Sequence, residues 1–169
     1  MTTINTQWLE QWMDLCATAL LRDEERLTEL DRQIGDGDHG INITRGFSEV
    51  RHLIEEQTPA SLCEGLTLVA KTLLAYVGGA SGPLYGTGFL RGGRAIAEHP
   101  DLGASETIAL LYEAIAEGIA HRGNAEAGDK TMLDAWLPAA HAARDACEKG
   151  ASVDEVLSCA AQAAQRGAT

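Results

Sequence analysis

Ser61-Leu62-Cys63-Glu64-Gly65-Leu66-Thr67-Leu68-Val69-Ala70-Lys71-Thr72-Leu73-Leu74-Ala75-Tyr76-Val77-Gly78-Gly79-Ala80-Ser81-Gly82-Pro83 holds two signals in one run: a helical repeat and the turn that ends it. Leu62, Leu66, Val69, Leu73 and Val77 recur at steps of three and four, which lays them along one face of an α-helix. Ser61, with Glu64 nearby, reads as the helix start. Gly78 to Gly82 breaks the repeat. Pro83 then suits the first turn of a new helix, where its missing N–H would have had no partner.

The same repeat recurs on both sides. Trp8, Trp12, Cys16 and Ala19 with Leu20 form an apolar row, as do Ile108, Leu111, Ile115 and Ile119. Val153, Val156 with Leu157, Ala160 and Ala164 form another. Ser105 with Glu106 nearby marks a second helix start. Ser152 with Glu155 three residues on is a full capping box. No stretch alternates with strand period, so the chain is expected to be all-α. Seven helices are predicted, near 4–28, 41–57, 61–77, 82–98, 105–121, 130–149 and 152–166, in an up-and-down antiparallel bundle or barrel. Trp8, Trp12 and Trp136 are read as core, and Pro138 is expected to kink the sixth helix.

Glycines gather at 35–46, 78–93 and 123–128, while Thr58-Pro59 and Pro100-Asp101 look like plain turns. Alternate loops of an up-and-down bundle lie at the same end. The connections 31–40, 78–82 and 122–129 are therefore expected to meet. All the unusual chemistry falls on those three.

The chain has 169 residues and a net charge of −12. That length fits a single domain spanning 1–169. That charge argues against nucleic acid and anionic membrane surfaces, which require clustered Lys and Arg. Any phosphate must be held by a local device, through metal ions or backbone amides. Cys16, Cys63, Cys147 and Cys159 have no metal-ligand spacing and are expected to be free core thiols in a reducing cytosol. No signal pattern opens the sequence, and no apolar run is long enough to span a bilayer.

Leu30-Asp31-Arg32-Gln33-Ile34-Gly35-Asp36-Gly37-Asp38-His39-Gly40-Ile41-Asn42 carries three carboxylates as D-x4-D-x-D in a glycine-rich turn. Hard divalent cations want several oxygen ligands, and glycine lets the backbone turn tightly enough to aim them. A solvated acidic turn is the plain alternative. An EF-hand fails, because a loop begun at Asp36 puts Phe47 where the bidentate Glu belongs. A magnesium site completed by phosphates and water remains. His39 follows the third Asp as metal ligand, hydrogen-bond donor to phosphate, phosphocarrier or plain exposed histidine. Small residues at Gly78 to Gly82 expose amides at a helix N-terminus, a ready anion site, and Gly40-Ile41-Asn42 opens another helix the same way. In Gly123-Asn124-Ala125-Glu126-Ala127-Gly128-Asp129-Lys130-Thr131-Met132, Asp129 is expected to cap the next helix. Lys130 reads as a salt-bridge partner or phosphate contact. Met132 reads as core filling, with packing on a base as the other reading. No P-loop, Rossmann fingerprint or kinase signature is present.

The 30–42 stretch with Arg45-Gly46-Phe47, Val77-Gly78-Gly79-Ala80-Ser81-Gly82-Pro83-Leu84-Tyr85-Gly86-Thr87, and Gly128-Asp129-Lys130-Thr131-Met132 closely resemble the signature of the L subunit of dihydroxyacetone kinase. The likeness runs from about the first helix to the end of the chain. It implies a closed barrel of antiparallel helices with a nucleotide at one end, and two Mg²⁺ ions held by Asp31, Asp36 and Asp38. It implies ADP or ATP near His39, Gly40, Ile41, Asn42, Ala80 and Ser81, with Gly123 and Met132 close to the base. No residue is implied to be a catalytic nucleophile.

In the phosphotransferase-linked version ADP stays bound and a phosphocarrier subunit of the phosphotransferase system recharges it. The phosphoryl group then passes to dihydroxyacetone, or a similar small ketose, on a separate kinase subunit in the cytoplasm. Such L subunits also resemble partners of transcription regulators. Family members continue beyond Arg166-Gly167-Ala168-Thr169 into an arginine-bearing loop and a last helix, so an open apolar seam and a homodimer are expected here. The rival readings are a phosphohistidine carrier using His39 and a nucleotide-free regulatory homologue.

Overall fold

The computed structural model describes residues 3–169; the first two residues of the expected 1–169 domain lie outside the described residues. Seven helices and no strand occur among them: α1 Thr6–Arg32, α2 His39–Gln57, α3 Leu62–Tyr76, α4 Ser81–Glu98, α5 Ala104–Gly123, α6 Leu133–Glu148 and α7 Val153–Gly167. The all-α expectation and its helix count hold. The chain forms two compact units, Asn5–Gly86 and Thr87–Thr169, the latter joined by residues 3 and 4.

In the N-terminal unit, neighbouring helices run antiparallel. Gly40 of α2 backs onto Thr28 of α1, the Thr44 hydroxyl donates to the Leu20 carbonyl at 3.3 Å, and Arg51 meets Asp14 at 3.4 Å. As the chain advances along α2 its partners retreat along α1. Gly46 of α2 lies against Val77 and Leu73, and Gly82 and Gly86 of α4 lie against Leu73 and Leu74. Leu66, Val69, Leu73 and Val77 are buried as expected. α1 differs: its buried row is Leu9, Met13 and Ala17, not Trp8, Trp12, Cys16 and Ala19. The two rows are adjacent around a helix that advances about 100° per residue. The tryptophans, too bulky to disappear wholly, stack on the rim with centroids 5.1 Å apart.

In the C-terminal unit, Ile108, Leu111, Ile115 and Ile119 of α5 are all within 2% of full burial. Gly88 and Gly92 of α4 pack on Ile115 and Leu111, and Arg144 of α6 forms a bidentate ion pair with Glu113. Pro138 lies inside α6, where it supplies no N–H to the Asp134 carbonyl. Gly167 of α7 rests against that carbonyl, and a Cβ there would overlap it.

Two helix starts behave as read: Ser61 caps α3 and the Ser152–Glu155 box caps α7. α5 starts from Gly103, whose N–H donates to Glu106 at 2.7 Å. Ser105 falls inside that helix and donates instead to the Ala151 carbonyl at 3.0 Å. Trp136 is half-buried and stacks with Tyr112 at 5.7 Å. All four cysteines are free, yet none is core: Cys159 is exposed and the other three are half-buried. Among the described residues, no helix is long and apolar enough to cross a membrane.

Candidate functional site

The acidic loop begins on a helix. α1 runs on to Arg32, so Asp31 stands in its last turn and not in the connection. The Ile34 and Gly35 N–H groups fold back to the Asp31 carbonyl at 3.0 and 2.6 Å. Gly37, at φ +75°, reverses the chain, a conformation glycine adopts without steric penalty. α2 then opens at His39 with Asp38 as its cap residue, whose side chain makes no capping bond. Asp31 performs that service from seven residues back. Its Oδ2 accepts the N–H of Asp38 at 3.0 Å and of His39 at 3.2 Å, two donors the helix itself cannot satisfy. The His39 N–H foremost, joined by that of Asp38, holds the Asp31 carboxyl below the usual carboxylate range against the opposing effect of burial.

This fold gathers the predicted carboxylates. One oxygen each of Asp31, Asp36 and Asp38 lie within 4.8 Å of one another. Three anionic oxygens at that spacing repel each other, and a hard divalent cation between them would offset that repulsion. Gly35 keeps the pocket side of Asp31 open, since a Cβ there would overlap Oδ1. The donor set is all oxygen and partly exposed, which suits magnesium with water or phosphate completing its shell.

Behind the carboxylates runs a polar chain that joins Asn42, expected near the nucleotide, to Arg45, which had been given no role. Buried Asn42 donates to Asp38 Oδ2 at 2.5 Å and accepts from Arg45 at 2.8 Å. Arg45 Nε donates to the Tyr76 carbonyl at 3.1 Å, tying α2 to the end of α3. The Asn42 spacing from Asp38 and from Arg45 was the available signal: four and three residues apart, they share one helical face.

The second predicted turn arrives at the same place. Gly79 takes φ +65° and α4 opens at Ser81, whose hydroxyl lies 3.4 Å from His39 Nδ1. Gly78 rests on the Asn42 amide, where a Cβ would come within 2.9 Å. The N-termini of α2 and α4 thus meet, each with its positive dipole end. Gly40 and Asn42 are buried, His39 and Ser81 half-buried, Ile41 and Ala80 exposed. Two of the three expected connections come together within this one unit, and their amides adjoin the carboxylates.

The third connection belongs to the C-terminal unit and differs from its reading. α6 begins at Leu133, not 130, and Met132 is its half-buried cap residue. Gly123 is the last residue of α5. Asp129 does not cap the helix; it accepts the Glu126 N–H at 2.8 Å inside the loop. Asp134 organises the turn instead, accepting Gly128 N–H at 2.6 Å and Thr131 N–H at 3.3 Å.

Residues 33–169 match the DAK2 domain. The chain is 40% identical over 161 residues to the ADP-binding subunit DhaL of the PEP-dependent dihydroxyacetone kinase of Escherichia coli (strain K12), covering 93% of this chain and 74% of that one. It is 40% identical over 141 residues to the ADP-binding subunit DhaL of kinase 1 of Listeria innocua serovar 6a, covering 83% and 70%. The fold is similar to that of the dihydroxyacetone kinase from C. freundii solved with AMP-PNP and Mg²⁺, with a TM-score of 0.71 at 23% identity. That superposition covers 95% of this chain and 29% of the solved one, so the chain spans less than a third of that kinase. With its carboxylate loop, its two meeting helix ends and these likenesses together, the chain belongs to the DAK2 domain family, alongside the DhaL subunits of dihydroxyacetone kinases.

Proposed function

We propose that this chain is the nucleotide-holding subunit of a phosphoenolpyruvate-dependent dihydroxyacetone kinase. In this reading it keeps ADP bound with magnesium. A phosphocarrier subunit of the phosphotransferase system recharges that nucleotide, and a separate subunit presents dihydroxyacetone or a similar small ketose as acceptor. One observation carries the proposal: the N-termini of α2 and α4 meet, His39 to Ser81 at 3.4 Å, beside carboxylate oxygens that lie within 4.8 Å of one another. Amide donors and an acidic cluster side by side suit a metal–diphosphate, because the two halves recognise opposite charges.

The division of labour follows from the residues. Asp31, Asp36 and Asp38 hold magnesium, two ions by the family likeness. When bound, the metal supplies the positive charge that offsets the phosphates of a protein whose own net charge is −12. His39, Gly40, Ile41, Asn42, Ala80 and Ser81 receive phosphates and ribose, and Gly123 and Met132 are assigned to the base on the strength of the resemblance. No side chain acts as nucleophile, since phosphoryl transfer asks chiefly for positioning and charge neutralisation.

Calorimetric titration of ADP with and without Mg²⁺, in wild type and Asp36→Ala, tests the reading. Wild type should need magnesium, and the variant should lose affinity by roughly tenfold or more. Equal, magnesium-independent binding in both proteins ends it.

A further inference from the structure

Asp38 stands at the cap position of α2 yet makes no capping bond. An aspartate there ordinarily accepts a backbone N–H two or three residues on. Here Oδ2 instead accepts the side-chain amide of Asn42 at 2.5 Å. Asn42 is only 8% exposed. Its Oδ1 accepts from Arg45 Nη2 at 2.8 Å, and Arg45 Nε donates to the Tyr76 carbonyl at 3.1 Å. Gly78 covers the amide so closely that a Cβ there would come within 2.9 Å of Nδ2. All of these residues belong to the one compact unit Asn5–Gly86.

This run of bonds has one permitted polarity. A carboxylate only accepts and a guanidinium only donates, whereas a carboxamide accepts at one end and donates at the other. With Arg45 in place, the Asn42 oxygen must face Arg45 and its NH₂ must face Asp38. Turning the amide over would set oxygen against oxygen at Asp38 and N–H against N–H at Arg45. In a buried space such mismatches are costly. Arg45 is itself aimed by Tyr76, the last residue of α3, whose carbonyl lies among those a helix leaves without intrahelical partners. At the other end, Asp38 is one of the three carboxylates with oxygens within 4.8 Å of one another. The bond from Asn42 restrains the rotation of that carboxylate.

We propose that Arg45 is a positioning residue for the metal site: as a partner that can only donate, it orients the Asn42 amide, and the amide holds the Asp38 carboxylate beside Asp31 and Asp36. Arg45 acts through Asn42 and not by contact with the cation. This inference rests on the functional reading above. A mere tie between α2 and α3 would be indifferent to which end of the amide faces Arg45. A device that aims Asp38 is not.

The test compares Arg45→Lys with Arg45→Gln. Lysine, like arginine, only donates, whereas glutamine can donate or accept and so releases the amide to turn. In proton–nitrogen correlation spectra of the ligand-free protein, the Asn42 side-chain proton facing Asp38 should be shifted downfield. Arg45→Lys should keep that shift and Arg45→Gln should lose it. ADP is then titrated by calorimetry at a series of Mg²⁺ concentrations. Arg45→Gln should raise the Mg²⁺ needed for half-maximal binding by about tenfold, and Arg45→Lys by no more than about threefold. Saturating Mg²⁺ should restore ADP affinity in both, whereas general loosening would lower it at every Mg²⁺ concentration. An unchanged Mg²⁺ requirement in Arg45→Gln, equal increases in the two variants, or a loss that Mg²⁺ does not restore overturns the inference and leaves the functional reading intact. So does an ordinary Asn42 amide shift in the wild type, even if a variant fails to fold. A wild-type protein that binds no ADP with magnesium removes that reading, and this inference with it.

Discussion

Asp31 and Asp134 each draw two backbone N–H groups out of a glycine-bearing turn, but they use their oxygens differently. Asp31 takes both amides on Oδ2, and its Oδ1 faces the loop beside Gly35. Asp134 takes one amide on each oxygen. The first carboxylate can hold its turn and still offer an oxygen to a cation, with Asp36 and Asp38 close enough to share it. The second has committed both oxygens to the backbone. The same chemistry, carboxylate to amide, spends one oxygen on the turn in one unit and both in the other.

The largest expected effect separates the two duties of Asp31. Asp36→Ala removes a proposed ligand oxygen from a side chain that is exposed, so it should reduce magnesium-dependent ADP affinity while leaving the melting temperature of the ligand-free protein unchanged. Asp31→Ala removes a proposed ligand oxygen and also strands the amides of Asp38 and His39. It should reduce affinity further, by roughly a hundredfold, and lower the ligand-free melting temperature as well. Equal melting curves for the two variants would break the comparison, because Asp31 would then be a ligand and nothing more.

Next in size is the seat of α2 on α1. A Cβ at Gly40 would overlap the Glu24 carbonyl and the Thr28 hydroxyl, and would sit 2.8 Å from the Thr28 amide. Two of those atoms are backbone and cannot swing aside. Gly40→Ala should therefore cost about 1–3 kcal/mol of stability by forcing the helices apart, read as a lower urea midpoint with unchanged slope.

Acid offers a gentler probe of the same clamp. Asp31 is held below the ordinary carboxylate range in the folded state, chiefly by the His39 N–H. A carboxyl whose folded pKa lies below its unfolded value contributes stability that is complete above the unfolded pKa, about 3.9, and lost as pH falls through the folded value. The stability gap between wild type and Asp31→Asn should thus be widest near neutral pH and close progressively below about pH 4. Denaturant titrations at pH 7 and pH 3 measure it, and a gap that is the same at both would show that the amides do not discriminate the charged form.

Much of this was readable from residues alone. The main row of α5 was legible, because Ile108, Leu111, Ile115 and Ile119 recur at helical steps and are all buried, while the row through Leu110 continues in Glu113 and Glu117. α1 was misread by one row, because Leu9, Met13 and Ala17 run beside Trp8, Trp12 and Cys16 and periodicity does not say which of two apolar rows faces in. The three aspartates were found by spacing. Spacing did not tell that Asp31 is helical, because no glycine or proline marks the end of α1 before Gly35. The Asp134 clamp stayed hidden for a related reason: an Asp inside an expected helix looks like an exposed face residue until the helix is found to start at Leu133 and the Gly128 and Thr131 amides turn back to it. The contact of Ser81 with His39 joins residues 42 apart in sequence, and pattern gives only the end of the bundle where such a contact belongs.

The smallest effect comes from a carboxylate that holds one amide and one hydroxyl with no proposed site beside it. In the α7 cap, Glu155 Oε2 accepts the Ser152 N–H at 2.9 Å and the Ser152 hydroxyl at 2.7 Å, while Ser152 Oγ accepts the Glu155 N–H at 3.4 Å. Ser152→Ala should cost about 1 kcal/mol at neutral pH, the usual worth of an N-cap hydroxyl. The Ser152 hydroxyl is also the foremost reason that the Glu155 carboxyl sits below its ordinary range. Part of the cost therefore belongs to the ionised Glu155 and should fade as pH falls through its folded pKa, while the part from the Glu155 N–H persists. ADP affinity should not change. Were Ser152→Ala to weaken ADP as much as Asp36→Ala does, general loosening of the helices would account for both, and the distinction between a carboxylate in the proposed site and one that merely caps a helix would fall.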